Sequence, residues 1–195
     1  EIGKKGVLAL MCDSTNAERP GFTQSEKTVG KTFDTLFADH SDTRIIIATF
    51  ASNVDRVRQI INSAYKFGRK VVVEGRSMVN IIETATSLGY LEIPDKTLID
   101  IEQLKNYPNE KTVIITTGSQ GESMAALSRM AGNIHKKISI GPGDTVIFSS
   151  NPIPGNEKAV TNVINELLVK GADVIFHYVH VSGHACQEEI KLIYS

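Results

Sequence analysis

The stretch Arg44-Ile-Ile-Ile-Ala-Thr-Phe-Ala-Ser-Asn-Val54 decides the fold of this chain. Residues 44–49 form a continuous β-branched run without alternation of polar and apolar side chains. Such a run suits a strand covered on both faces, as in a parallel sheet. Phe50-Ala-Ser-Asn53 then breaks the run with small polar residues. An amphipathic stretch of helical period fills residues 54–67, with Ser52 or Asn53 as N-cap and Gly68 as C-cap.

The same order recurs along the chain. Residues 7–11, 70–73, 112–116, 145–148 and 174–179 repeat the strand pattern. Residues 25–37 read as a helix whose capping box runs from Thr23 to Glu26. Residues 79–87 form another, with Ser77 as N-cap and Gly89 as stop. Residues 122–131 and 157–169 complete the set, the latter ending at Gly171, and residues 186–193 are helix-like. Alternation of this kind implies right-handed βαβ units: an α/β fold with a doubly wound, mostly parallel sheet and helices on both faces. Asn106-Tyr-Pro-Asn-Glu110 reads as a polar turn and Gly141-Pro-Gly-Asp144 as a tight turn feeding a strand.

Composition excludes several classes. Hydrophobic residues make up 41% and charged residues 22%, the balance of a globular domain. A net charge of −1 argues against a broad electrostatic grip on nucleic acid, so any RNA or DNA contact has to be local, in a groove or pocket, or helped by another domain. Cys12 and Cys186 do not make a disulfide framework; both read as buried small apolar residues in a reducing cytoplasm. No apolar run is long enough to cross a membrane. The chain starts at Glu1 without a methionine and stops at Tyr194-Ser195 inside a helix that has hardly begun, so it reads as a piece of a longer protein.

In open α/β sheets, ligands gather beyond the carboxyl ends of the strands. Here those ends are Asp13-Ser-Thr-Asn16, Phe50-Ala-Ser-Asn53, Glu74-Gly-Arg-Ser77, Thr117-Gly-Ser-Gln-Gly121, Ser149-Ser-Asn-Pro152 and His180-Val-Ser-Gly-His184. Small polar loops let backbone amides approach an anion, although the same residues are ordinary caps and turns. Asp13 is either a turn cap or an orienting acid, and His184 either a satisfied turn histidine or an acid/base. His180 and His184 have helical metal-pair spacing, but Gly183 and the strand-like approach speak against a helix, and no metal site within the chain is expected. Arg76 could hold a phosphate or brace Glu74. His40 and His135 read as solvated, and His177 as structural. No GxxxxGK[ST], GxGxxG after the first strand or GxSxG occurs, which disfavours P-loop, dinucleotide and α/β-hydrolase readings.

Seven segments together resemble the ribonuclease J family, of the metallo-β-lactamase superfamily and its β-CASP branch. They are Cys12-Asp-Ser-Thr-Asn-Ala-Glu-Arg-Pro-Gly-Phe-Thr23, Thr49-Phe-Ala-Ser-Asn-Val54, Gly75-Arg-Ser-Met-Val-Asn80, Thr117-Gly-Ser-Gln-Gly-Glu122, Pro142-Gly-Asp-Thr145, Ser150-Asn-Pro-Ile-Pro-Gly-Asn156 and His180-Val-Ser-Gly-His-Ala185. The resemblance covers the whole chain in order. It implies a flanking strand and motif of a metallo-β-lactamase domain at residues 1–19. A β-CASP domain then spans 20–179, and a motif loop with the start of a return helix spans 180–195.

The activity implied is that of a zinc-dependent ribonuclease, both endonuclease and 5′-to-3′ exonuclease, in rRNA processing and mRNA decay. Two zinc ions, held by an HxHxDH motif and further ligands, activate water in such enzymes. Asp13 matches the acid of the first β-CASP motif. His184 matches the histidine of the second, which gives a proton to the leaving oxygen and is steadied by that acid. His180, Val181, Ser182 and Gly183 match the segment that binds substrate phosphate, and Ala51, Ser52 and Asn53 match a second substrate-binding stretch. Phe50, Ser119 and Gln120 would line the RNA channel. HxHxDH and the other zinc ligands are absent from this chain, so by itself it is expected to hold no catalytic zinc and to leave RNA uncut. Asp55 stands where members often carry a longer or basic residue. The implied partners are 5′-monophosphorylated RNA, the metallo-β-lactamase domain of the same chain, and further subunits in a homo- or hetero-oligomer, with no membrane. The competing expectation is a non-catalytic module that grips an RNA 5′-phosphate or a partner subunit.

Overall fold

The computed structural model describes residues 3–23, 25, 27–176 and 182–194. The chain divides into two compact units: residues 26–180 form one, and residues 1–25 with 181–195 form the other.

In the larger unit, helices and strands alternate. The elements are α1 (Lys27–Asp39), β1 (Arg44–Ala48), α2 (Val54–Lys66), β2 (Lys70–Glu74), α3 (Arg76–Ser87), β3 (Thr112–Thr116), α4 (Ala126–Ala131), β4 (Asp144–Phe148), α5 (Glu157–Val169) and β5 (Asp173–Ile175). The strands form one five-stranded parallel sheet in the order β2-β3-β1-β4-β5. The run that opened the reading is its centre. All five residues of β1 are buried, and Ile46 stands opposite Ile114 on one side and Val146 on the other. A strand in that position needs ladder partners on both edges and cover on both faces, which an uninterrupted β-branched run satisfies.

Side chains alternate across the sheet. Ile46, Ala48, Val72, Ile114, Val146 and Phe148 join one cluster with Leu127 and Met130 of α4 and with Val160, Val163 and Leu167 of α5. Ile45, Ile47, Val71, Val113, Ile115 and Ile147 point the other way and are equally buried. Helices α2 and α3 pack against β2, and α1 packs against α2. Phe33, Phe37, Ile60 and Ile61 are fully buried on these helices. Each such side chain contributes about 1.5–3 kcal/mol of transfer free energy. At the amino ends of the central strands, Arg44 and Asp144 form a buried, two-pronged pair at 2.8 and 2.7 Å.

Local chemistry sets the element boundaries. Asn53 Oδ1 accepts the Arg56 backbone N–H at 3.0 Å and starts α2. Helix α3 starts earlier than Ser77 would allow: its N-cap is Gly75, at φ +106°. A Cβ there would lie 2.5 Å from Thr117 Oγ1, so the β2–α3 turn requires glycine. Helix α4 begins at Ala126 rather than 122, because the Glu122 carboxylate accepts the Gln120 N–H at 3.1 Å and closes the preceding loop.

Residues 7–11 are not a strand. Val7, Leu8, Leu10 and Met11 are exposed, and no strand among the described residues pairs with them. Strand composition without a ladder partner leaves the backbone groups to other acceptors and donors. The last strand stops at Ile175, and residues 177–179 of the expected run lie outside the described residues. The capping-box partner Glu26 also lies outside them, and Thr23 is engaged elsewhere, by Glu189.

Candidate active site

The smaller unit is built from two segments distant in sequence. Asn16 and Cys186 form a parallel bridge. The Gln187 N–H donates to Arg19 O at 2.9 Å and the Glu188 N–H to Gly21 O at 3.2 Å. Helix α6 (Gln187–Tyr194) begins at this junction. Glu189, in its first turn, accepts the Cys186 N–H at 2.7 Å, the reciprocal half of a capping box.

This stitching brings Asp13 and His184 together, 171 residues apart in sequence: His184 Nδ1 lies 2.6 Å from Asp13 Oδ2. The other carboxylate oxygen, Oδ1, accepts the Thr15 N–H at 3.0 Å and the Thr15 hydroxyl at 2.6 Å. Asp13 is thus a turn cap through one oxygen and an orienting acid through the other. The Thr15 hydroxyl, then the bond from His184, then the Thr15 amide hold the Asp13 carboxyl down at about 2. Asp13 is therefore ionised at neutral pH and can only accept, so the proton between the two groups belongs to His184 Nδ1. That assignment makes Nε2 the atom that exchanges a proton with anything outside. Both side chains are about half exposed, so an incoming molecule can reach them.

Ser182 stands beside the pair. Its Oγ accepts from Asn16 Nδ2 at 2.9 Å and from the His184 N–H at 3.2 Å, which leaves its own O–H to donate. Gly183 is exposed, with open space where a Cβ would be. His180 and Val181 lie outside the described residues, as does His177.

The loops at the carboxyl end of the larger unit's sheet divide into exposed and buried groups. Ser52 is exposed, Phe50, Ala51 and Asn53 are half-buried, and the Asn53 side chain is occupied in capping α2. Ser119 and Gln120 are buried. Gln120 Nε2 donates to Ser150 Oγ at 3.2 Å and Asn151 O at 2.9 Å, while its Oε1 accepts from the Ile153 N–H at 2.7 Å and Asn156 Nδ2 at 3.4 Å. The amide is fully engaged in joining two loops. Gly121, at φ +72°, lets this turn lie against α5, where a Cβ would fall 2.4 Å from the Ala159 carbonyl carbon.

Three sequence readings of side chains need correction. His135 is buried rather than solvated: its Nδ1 accepts the Lys137 and Ile138 N–H groups, so Nε2 carries the proton and donates to Glu74 at 3.2 Å. Glu74 is thereby occupied by His135, while Arg76 is exposed at the start of α3. His40 is also largely covered and faces Thr145 Oγ1 at 3.3 Å. Cys12 is exposed, because its strand does not form, whereas Cys186 is buried as expected. Among the described residues no group of three or more His, Cys, Asp or Glu could hold a metal, and no helix is long and apolar enough to cross a membrane.

The family model for the ribonuclease J β-CASP domain matches residues 42–167. This chain belongs to the ribonuclease J family. It is 48% identical over 196 residues to Ribonuclease J of Synechocystis sp., covering 99% of this chain and 30% of that protein. It is 48% identical over 196 residues to Ribonuclease J of Thermus thermophilus, covering 99% and 34%. The chain thus spans about a third of the length of these curated relatives. A crystal structure of a protein of unknown function from Enterococcus faecalis shares the fold, with a TM-score of 0.55 at 15% identity over 97% of this chain and 40% of that one.

Within this ribonuclease J chain, Thr15, Asn16, Thr23 and Glu189 hold the pair in place; the first three stand in a motif segment but were given no such role from sequence, and Glu189 stands in none. The signal for Glu189 was its spacing from Cys186, three residues on, where a capping box carries its acid. Cysteine in the cap position hid it, because it lacks the oxygen the pattern looks for.

Proposed function

We propose that this chain supplies the proton-donating half of a ribonuclease site in a longer protein. The observation that carries the reading is the 2.6 Å contact of His184 Nδ1 with a carboxylate already fixed by Thr15. Asp13 keeps Nδ1 protonated and the ring oriented, and His184 Nε2 delivers its proton to the leaving oxygen. As water oxygen bonds to phosphorus and releases one proton to solvent, the phosphorus–oxygen bond to the leaving group breaks. The electron pair stays on that oxygen, which takes the proton from Nε2. Asp13 remains a carboxylate throughout and stabilises the imidazolium before transfer.

Substrate binding is assigned to Ala51, Ser52, Asn53, His180, Val181, Ser182, Gly183 and His184. Ser182 is the anchor for a 5′-phosphate, because its hydroxyl proton is left to donate. Phe50, Ser119 and Gln120 are assigned to the RNA channel, Ser119 and Gln120 being buried and acting through the loops they hold. In the full protein, two zinc ions held outside this chain would activate the attacking water. The remaining partner assignments are RNA with a 5′-monophosphate, a metallo-β-lactamase domain of the same chain, and an oligomer of full-length subunits. The free, exposed thiol of Cys12 suits a reducing cytoplasm. Both 5′-to-3′ exonucleolytic and endonucleolytic cleavage are assigned to the full-length protein.

His184→Ala in the full-length protein tests this. Turnover of 5′-monophosphorylated RNA should fall by roughly a hundredfold or more, as for a lost general acid. Unchanged turnover would leave the chain as a non-catalytic RNA-binding module.

A further inference from the structure

Glu189 lies outside the reacting pair, yet one of its carboxylate oxygens gathers three donors: the Thr23 N–H at 3.0 Å, the Thr23 hydroxyl at 2.6 Å and the Cys186 N–H at 2.7 Å. Thr23 belongs to the segment that carries Asp13, and Cys186 to the segment that carries His184. The carboxylate therefore clasps the two segments together. The backbone of His184 lies inside this clasp. Its carbonyl is 2.9 Å from Thr23 Oγ1 and accepts from Asn16 Nδ2 at 3.3 Å, while its N–H donates to Ser182 Oγ. With both flanking peptide units held, the ring reaches Asp13 by its own two side-chain torsions alone.

We propose that Glu189 is a positioning residue for the His184 imidazole, acting through Thr23 and the backbone of residue 184. The inference rests on the reading of His184 as proton donor. Glu189 bonds to Thr23 and Cys186 and not to the ring. Its effect is to keep the carboxylate and the imidazole at bonding distance, where small losses of alignment lower the rate steeply.

A double-mutant cycle in the full-length protein tests it, with kcat and KM measured on 5′-monophosphorylated RNA. Glu189→Ala should lower kcat by about tenfold with KM changed by less than about twofold. Glu189→Gln, which keeps an oxygen for the same donors, should recover most of that loss. In the His184→Ala background, Glu189→Ala should change kcat by less than about twofold, because the group it positions is gone. A tenfold loss that persists without His184, or a loss confined to KM, overturns the proposal. Should Glu189→Ala not fold, Thr23→Val takes its place in the cycle with the same criteria. Full activity of His184→Ala would instead overturn the proton-donor reading, whatever residue 189 does.

Discussion

Replacing Gln120 by leucine keeps the size of the side chain and removes its polar end. The amide joins the loop after β3 to the loop after β4 through Ser150, Asn151, Ile153 and Asn156. The two short bonds, at 2.9 Å to Asn151 O and 2.7 Å from the Ile153 N–H, carry most of the loss. Each polar group left without a partner costs about 1–3 kcal/mol, less where water can replace the bond. Ile153 is exposed, so the lower end applies there, whereas Ser150 Oγ is buried. A local destabilisation of about 2–3 kcal/mol follows, which corresponds to a roughly 30-fold to 150-fold larger opening equilibrium for residues 149–156. Hydrogen–deuterium exchange of the full-length variant, read at the Ile153 amide, measures this. Unchanged exchange at Ile153 together with weaker RNA binding would show that Gln120 acts by touching RNA rather than by fixing the loops.

Other outcomes follow from the same geometry. Thr15→Val removes the first of the causes that lower Asp13, so its carboxyl should rise from about 2 towards the ordinary range near ~3.9. A lowered carboxyl stabilises the native state above the unfolded value and loses that contribution as pH falls through the folded value. The loss should therefore move to higher pH in the variant, and an NMR titration of Asp13 that matches wild type would contradict it. Asp144→Ala strands a buried guanidinium at Arg44 and should lower stability by about 3–5 kcal/mol in urea denaturation; a change below about 1 kcal/mol would count against it. Ser182→Ala should raise KM for 5′-monophosphorylated RNA and leave 5′-hydroxyl RNA nearly unaffected, and equal losses on both would argue against a phosphate anchor.

The larger unit was legible because its information is local. The run at residues 44–49 specifies burial on both faces, and Asn53 and Gly68 mark the limits of the helix after it. Residues 7–11 carry the same composition, but strand formation depends on a neighbouring backbone that composition does not report. His135 was misread for a related reason: its surroundings are polar in sequence, while its two nitrogens are met by backbone amides and by Glu74 from another element. The Asp13–His184 pair was reached through the motifs that contain the two residues, not through any pattern joining them. Asn16 and Thr23 lie in the first of those motifs but Glu189 in none, and the bonds these residues make between the two segments span 161 to 168 positions.

In the proposed function the imidazole held by Asp13 gives its proton to the departing oxygen. A sulfur atom in place of that oxygen leaves without needing a proton, so the two substrates separate proton donation from every other contribution of His184. Single-turnover cleavage should be measured with wild-type and His184→Ala full-length protein on RNA carrying bridging oxygen or bridging sulfur at the leaving position. A loss of roughly a hundredfold is expected on the oxygen substrate and of less than about threefold on the sulfur one. Equal losses on both substrates would contradict it.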